Sequence, residues 1–213
     1  MKSIWSVSFQ AMTLAAAMGG VTALAAENPD ANAERHVTVC MEGNADFTTV
    51  RARSIASQMF ERIGVTIDWR IGLRRCPSQG VMVTLGLGTP AGFTREALAY
   101  ALPYEGTHVR VFYDRIRHTY NQATARVVLA HVLVHEITHI LQGVPRHSDH
   151  GIMKARWDAE DYLQMMRKPL EFANEDIDLI YRGIAARTAR ALAAMNPAPE
   201  AVLADNRTNS SAN

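Results

Sequence analysis

The sequence predicts an α/β fold of the α+β kind, in which a small mixed sheet precedes a helical C-terminal half. Segments rich in β-branched and aromatic residues occupy the first half of the chain. From about Thr119 the apolar residues recur at helical spacing instead. The 213 residues are enough for one domain with a substantial core.

The individual elements follow from these patterns and from the residues that interrupt them. Four segments have the composition of strands: 36–43, 65–71, 80–87 and 107–116. Four helices are expected, at 46–62, from about 119 to 142, at about 158–167 and at about 174–194. Asp46 is a suitable N-cap for the first helix, and Gly143 followed by Pro145 should end the second.

The charge balance excludes some classes of partner. Lys and Arg total 22, Asp and Glu total 21, and the formal net charge is +1. There is no basic stripe of the kind that binds nucleic acid, and there is no acidic tract. No nucleic-acid partner is therefore expected, and the sequence leaves the oligomeric state open.

The N-terminus has the pattern of a secretory signal peptide over residues 1–25. Lys2 precedes an uncharged, mostly apolar run, and Ala23-Leu24-Ala25 fits the small-x-small cleavage pattern. The mature protein is then secreted or periplasmic, without stable membrane association. An uncleaved membrane anchor is the alternative, although Gln10 and the Gly19-Gly20 pair weaken a spanning helix.

The mature chain divides into three parts by composition. Residues 26–35 are expected to form a flexible lead-in, 36–195 the domain, and 196–213 a disordered tail. The domain contains both cysteines of the chain, Cys40 and Cys76. An exported protein with two cysteines most simply joins them in one disulfide. Alternatively, the thiolate of Cys76 could bind a metal ion in a latent form.

The strongest functional signal is the motif His135-Glu136-x-x-His139 in the second predicted helix. Residues four apart lie on one helix face, so both imidazoles can bind the same cation. Zinc suits such ligands. Glu136 lies about 100° around the helix from His135 and can reach a water at the metal as a general base.

A third ligand must come from outside this helix. After Gly143 the chain can turn back beneath the two histidines, where His147, Asp149 and His150 all have suitable chemistry. His131 lies one turn before His135, but its register has no acidic neighbour. A packed histidine, or one that orients a ligand, is the expected role for His131.

Residues 131–157 resemble the metzincin clan of zinc peptidases and, more closely, small predicted secreted metalloproteases of bacteria. Their pattern is His-Glu-x-x-His, three residues, Gly, three residues and His, followed by Gly-x-Met. This chain has those residues in that spacing: His135, Glu136, His139, Gly143, His147, Gly151 and Met153. The usual metzincin spacing is different, since it would place the glycine one residue earlier and a histidine at Pro145.

The resemblance implies a metzincin-like catalytic domain over 36–195 that cleaves peptide or protein substrates as a zinc endopeptidase. It assigns His147 as the third zinc ligand and Met153 to a turn beneath the metal. Asp149 would then orient an imidazole, and His150 would be solvated or contact substrate. The β-prone segment at 107–114 is expected to lie near the cleft, where a peptide could add as a strand.

Three alternatives remain open at this stage. In another class of zinc peptidase the third ligand is a glutamate on a later helix, and Glu175 fits that pattern. The protein could also be a non-catalytic exported zinc-binding or interaction protein. Finally, it could be a zinc hydrolase of an amide that is not a protein.

Overall fold

The computed structural model describes residues 35–43, 45–94, 96–103 and 105–196. The predicted signal peptide lies outside these residues, as do all but Arg35 of the lead-in and all but Asn196 of the tail. Arg35 already belongs to the first strand. The described residues therefore lie almost entirely within the range 36–195 that was predicted as the domain.

Within the described residues a five-stranded sheet forms the first layer, in the order β2-β1-β3-β5-β4. Its strands are β1 (Arg35–Glu42), β2 (Val65–Ile71), β3 (Val81–Gly86), β4 (Ala99–Ala101) and β5 (His108–Phe112). The neighbours from β2 through β5 are paired in parallel, whereas β4 runs antiparallel to β5 at one edge. The sheet is thus mixed, which confirms the predicted α/β class.

The helices of the described chain pack against this sheet and against one another. They are α1 (Phe47–Glu61), α2 (Tyr113–Thr119), α3 (Gln122–Gln142), α4 (Ala159–Arg167) and α5 (Asn174–Met195). The side chain of Asp46 accepts a hydrogen bond from the Thr49 N–H and so caps α1, as predicted. By length and composition α3 could cross a membrane, but most of it is buried, as in the core helix of a soluble fold.

The segment 107–116 differs from its prediction as a single strand. The strand ends at Phe112, and α2 begins at Tyr113. Tyr113 and Ile116, three residues apart, are both fully buried, and the Tyr113 hydroxyl donates to Asp46 Oδ2 at 2.6 Å. Burial at helical spacing and this tertiary hydrogen bond outweigh the β propensity of the segment.

The two cysteines form the predicted disulfide, Cys40–Cys76, across 36 residues of sequence. Cys40 lies in β1, is fully buried, and links this inner strand to the loop that precedes β3. Both sulfur atoms are used in this bond, so Cys76 offers no thiolate to a metal ion.

Removing this disulfide should lower the free energy of unfolding markedly. For Cys40→Ala or Cys76→Ala we expect a loss of about 3–4 kcal/mol, because the bond restricts a loop of this length in the unfolded chain. Urea unfolding measures the loss, and the double alanine variant should lose about as much as either single variant. Wild-type stability in the single variants would show that the bond contributes little.

Candidate metal centre

The two histidines of the motif meet on one face of α3. His135 and His139 are both buried, because most of α3 lies in the core. Their Nε2 atoms are 3.1 Å apart. The helical spacing predicted from sequence therefore places the two Nε2 atoms close enough to bind one metal ion.

Backbone carbonyls fix the orientation of both rings. The Nδ1 atom of His135 is 2.8 Å from the Ile152 carbonyl oxygen, and that of His139 is 3.3 Å from the Val144 oxygen. A carbonyl oxygen only accepts, so each Nδ1 carries the proton and donates. Each neutral ring then has a lone pair on Nε2, and the two lone pairs face each other.

Burial keeps these imidazoles neutral. It lowers the pKa of His135 to about 3, helped by the neighbouring His139, and the pKa of His139 to about 4, helped by His147. Two unprotonated nitrogens at 3.1 Å repel each other unless a cation lies between or beside them. The pair therefore has the protonation state and the geometry of a metal ligand set.

His147 completes the group from the loop after α3. Gly143 ends the helix in the left-handed conformation, with φ of 71°, and the chain turns back as predicted. One potential ligand atom from each of His135, His139 and His147 lies within 4.8 Å of the others. The three side chains could hold a metal ion, and three imidazoles are a donor set typical of catalytic zinc.

A tight turn around Gly151 packs beside the three histidines. Gly151 has φ of 74°, and a Cβ there would overlap the carbonyl oxygen of Glu171, so a glycine is required. The Ser148 N–H donates to the Met153 carbonyl at 2.8 Å and closes the turn. Met153 is fully buried, and Ile152 presents its carbonyl to His135.

Glu136 lines the same cavity as the three histidines. This cleft has a volume of about 750 Å³. Burial raises the pKa of Glu136 to about 8, and a cation held by the three histidines would lower this pKa and favour the carboxylate form that accepts a proton. Glu136 is not one of the three grouped ligands, and its position beside them suits proton transfer.

Comparison with known proteins gives the architecture a precedent. The fold is similar to that of an archaemetzincin. The crystal structure of archaemetzincin from Methanopyrus kandleri matches with a TM-score of 0.52 and 13% sequence identity, over 70% of this chain and 96% of that chain. No protein-family profile matches the sequence, and neither does any curated protein. At this identity the likeness concerns the fold.

In this archaemetzincin-like fold the edge strand β4 borders the cleft. Its residues Ala99–Ala101 line the same cavity as the histidines. β5 lies one strand further in, between β3 and β4. The sequence predicts a strand near the cleft at 107–114, to which a peptide could add, whereas the free edge of the described sheet belongs to the three-residue β4, which was not predicted.

Aromatic side chains extend the cleft away from the metal centre. The ring of Trp157 contacts that of His135 with centroids 5.6 Å apart, and Tyr162 lies 6.4 Å from Trp157. Tyr120 follows at 6.0 Å from Tyr162. All three aromatic residues line the cavity, so the space beside the histidines has an apolar wall.

The other histidine of α3 has a structural position. The Nδ1 atom of His131 donates to the Val127 carbonyl at 2.8 Å, and its Nε2 accepts from the Leu170 N–H at 3.1 Å. Its Nε2 lone pair is thus occupied, and His131 joins α3 to the segment before α5. It is a packed histidine outside the group of three, one of the roles expected from sequence.

The remaining candidates also lie outside the group of three. Asp149 and His150 are exposed on the loop. Glu175 is exposed as well and pairs with Arg146, with Nη2 and Oε2 2.5 Å apart. The structure therefore gives Glu175 a cationic partner, whereas His147 lies beside the two helical histidines.

Sequence reasoning missed Asp176, a fully buried carboxylate at the start of α5. Its charge acts on His139 and raises the pKa of that ring, opposing the effect of burial. The available signal was indirect. Asp176 is the third residue of a helix, where an acid can accept a hydrogen bond from the N-cap N–H, and an arginine beside His147 needs a partner.

Proposed function

We propose that this protein is a zinc-dependent peptidase. The observation that carries the proposal is the group of three histidines with Glu136 on the wall of the same cleft. A site that only stabilised the fold would be closed by a fourth protein ligand and would need no carboxylate beside it. Three ligands and an adjacent acid are the arrangement of hydrolytic zinc centres.

His135, His139 and His147 would hold the metal. Bound zinc would supply Lewis-acid polarisation of a substrate carbonyl and would lower the pKa of a water molecule. Glu136 would accept the proton of the attacking water at its carboxylate and deliver it to the departing nitrogen. The backbone carbonyls of Val144 and Ile152 would keep the Nδ1 atoms protonated, so that Nε2 stays available for the metal.

A peptide is the proposed substrate because of the edge strand beside the site. β4 pairs with β5 on one side, and its other side is the edge of the described sheet. An extended peptide can add to such an edge through main-chain hydrogen bonds. That placement would carry a substrate backbone along the cleft, past Glu136 and the histidines.

An exported enzyme is the proposed setting. The disulfide between Cys40 and Cys76 favours an oxidising compartment, since such bonds are rare in the cytosol. Together with the signal-peptide pattern of residues 1–25, this supports a secreted or periplasmic protein.

Metal dependence tests the proposal directly. Purified protein should contain zinc and should cleave members of a broad peptide library. Removing the metal with a chelator should abolish cleavage, and added zinc should restore it. Zinc binding without cleavage of any peptide would favour a non-catalytic zinc-binding protein. Cleavage of small amides but not peptides would favour the non-protein amide hydrolase.

A further inference from the structure

The third histidine is held differently from the other two. His135 and His139 belong to α3, and a backbone carbonyl fixes each ring. His147 is exposed and lies in a loop, and its side chain makes no hydrogen bond with another described residue. Apart from ring contacts with His135 and His139, the residues on either side of His147 determine its position.

Both neighbours of His147 bind Asp176. Nη1 of Arg146 donates to Asp176 Oδ1 at 2.8 Å, and Ser148 Oγ lies 2.8 Å from both carboxylate oxygens. The carboxylate of Asp176 is thus hydrogen-bonded to the residue immediately before His147 and to the residue immediately after it. Charge-assisted hydrogen bonds of this kind are the stronger ones in proteins.

Asp176 is itself held firmly. It is fully buried in the first turn of α5, where Oδ2 accepts from the Ala173 N–H at 3.3 Å. Gln142, the last residue of α3, donates Nε2 towards Oδ1 at 3.4 Å. Asp176 therefore connects the end of the ligand helix, the His147 loop and the start of α5.

We propose that Asp176 is the positioning residue of the metal centre, which sets the His147 loop at the distance that three-histidine coordination needs. This inference rests on the proposed function, in which His147 is a zinc ligand. Residues that orient metal ligands typically change metal affinity by about 10- to 100-fold when replaced. Asp176→Asn should therefore weaken zinc binding by about that factor.

The experiment compares wild type with Asp176→Asn and with Asp178→Asn. Asp178 lies on the same helix but is exposed, which makes it a matched control. Zinc affinity is measured by competition with a chelator, and the cobalt-substituted proteins report ligand geometry through their absorption spectra. Ser148→Ala is a second variant for the case in which Asp176→Asn folds poorly. It removes one donor to the carboxylate and keeps the Arg146 pair, so it should show a smaller loss of zinc affinity.

Hydrogen exchange in the zinc-free protein separates this inference from the proposed function. The Ser148 amide, which bonds to the Met153 carbonyl at 2.8 Å, should exchange faster in Asp176→Asn and at the wild-type rate in Asp178→Asn. A wild type that binds no zinc would overturn the proposed function, while exchange would still show whether Asp176 orders the loop. Wild-type zinc affinity in a folded Asp176→Asn protein would overturn the positioning role.

Discussion

Replacing Glu136 with Gln is expected to lower peptide hydrolysis by about 10²- to 10⁴-fold while zinc content stays at the wild-type level. The amide has the same shape as the carboxylate but cannot accept the proton of the attacking water. The metal should be retained, because Glu136 is not among the three residues that could hold it. Peptide cleavage and zinc content are measured on the same preparations.

Glu61→Gln provides the control for this substitution. Glu61 is an exposed residue at the end of α1, so its replacement should leave both activity and zinc unchanged. If Glu136→Gln kept most of the activity, the base would have to be another group. If it lost zinc in proportion to activity, Glu136 would belong to the ligand set instead.

Gly183→Ala is expected to destabilise the fold by about 3 kcal/mol or more, although alanine is the better helix former. Gly183 lies inside α5 where this helix crosses the end of α3. A Cβ there would overlap the carbonyl oxygen of Leu141 and lie 2.8 Å from its carbonyl carbon. Backbone atoms cannot move aside as a flexible side chain can, so the two helices would have to separate.

The contact between Gly183 and Leu141 lies close to the metal centre, so Gly183→Ala should affect zinc binding as well as stability. Leu141 is two residues after His139, so separation of the helices should also weaken zinc binding. Ala185→Gly, an exposed change on the same helix, should cost about 1 kcal/mol through propensity alone and leave zinc affinity unchanged. Chemical denaturation measures both variants, and an increase in stability for Gly183→Ala would contradict the close approach.

Local patterns predicted those elements whose signals lie within a few residues. Asp46 at the start of α1 and Gly143 at the end of α3 are such signals, and the structure confirms both. The i, i+4 spacing of His135 and His139 likewise fixes their common face without knowledge of the rest of the fold. In each case local backbone conformation and short-range hydrogen bonds determine the result.

Features that depend on distant residues were not accessible in this way. β4 contains only Ala99, Tyr100 and Ala101, and pairing with β5 rather than β propensity makes it a strand. Tyr113 begins a helix because it is buried and bonds to Asp46, 67 residues earlier. Asp176 meets the His147 loop from 28 and 30 residues away, and the sequence does not show that an acid at this position is buried.

Main-chain oxygens orient the rings of His135 and His139, and this has an evolutionary consequence. Every amino acid carries a carbonyl group, so the residue types at Val144 and Ile152 can change without altering which imidazole nitrogen holds the proton. What must persist is the path of the chain through the loop and turn. A centre built in this way can keep its chemistry while the surrounding sequence diverges, and its relatives are then easier to find by shape than by sequence.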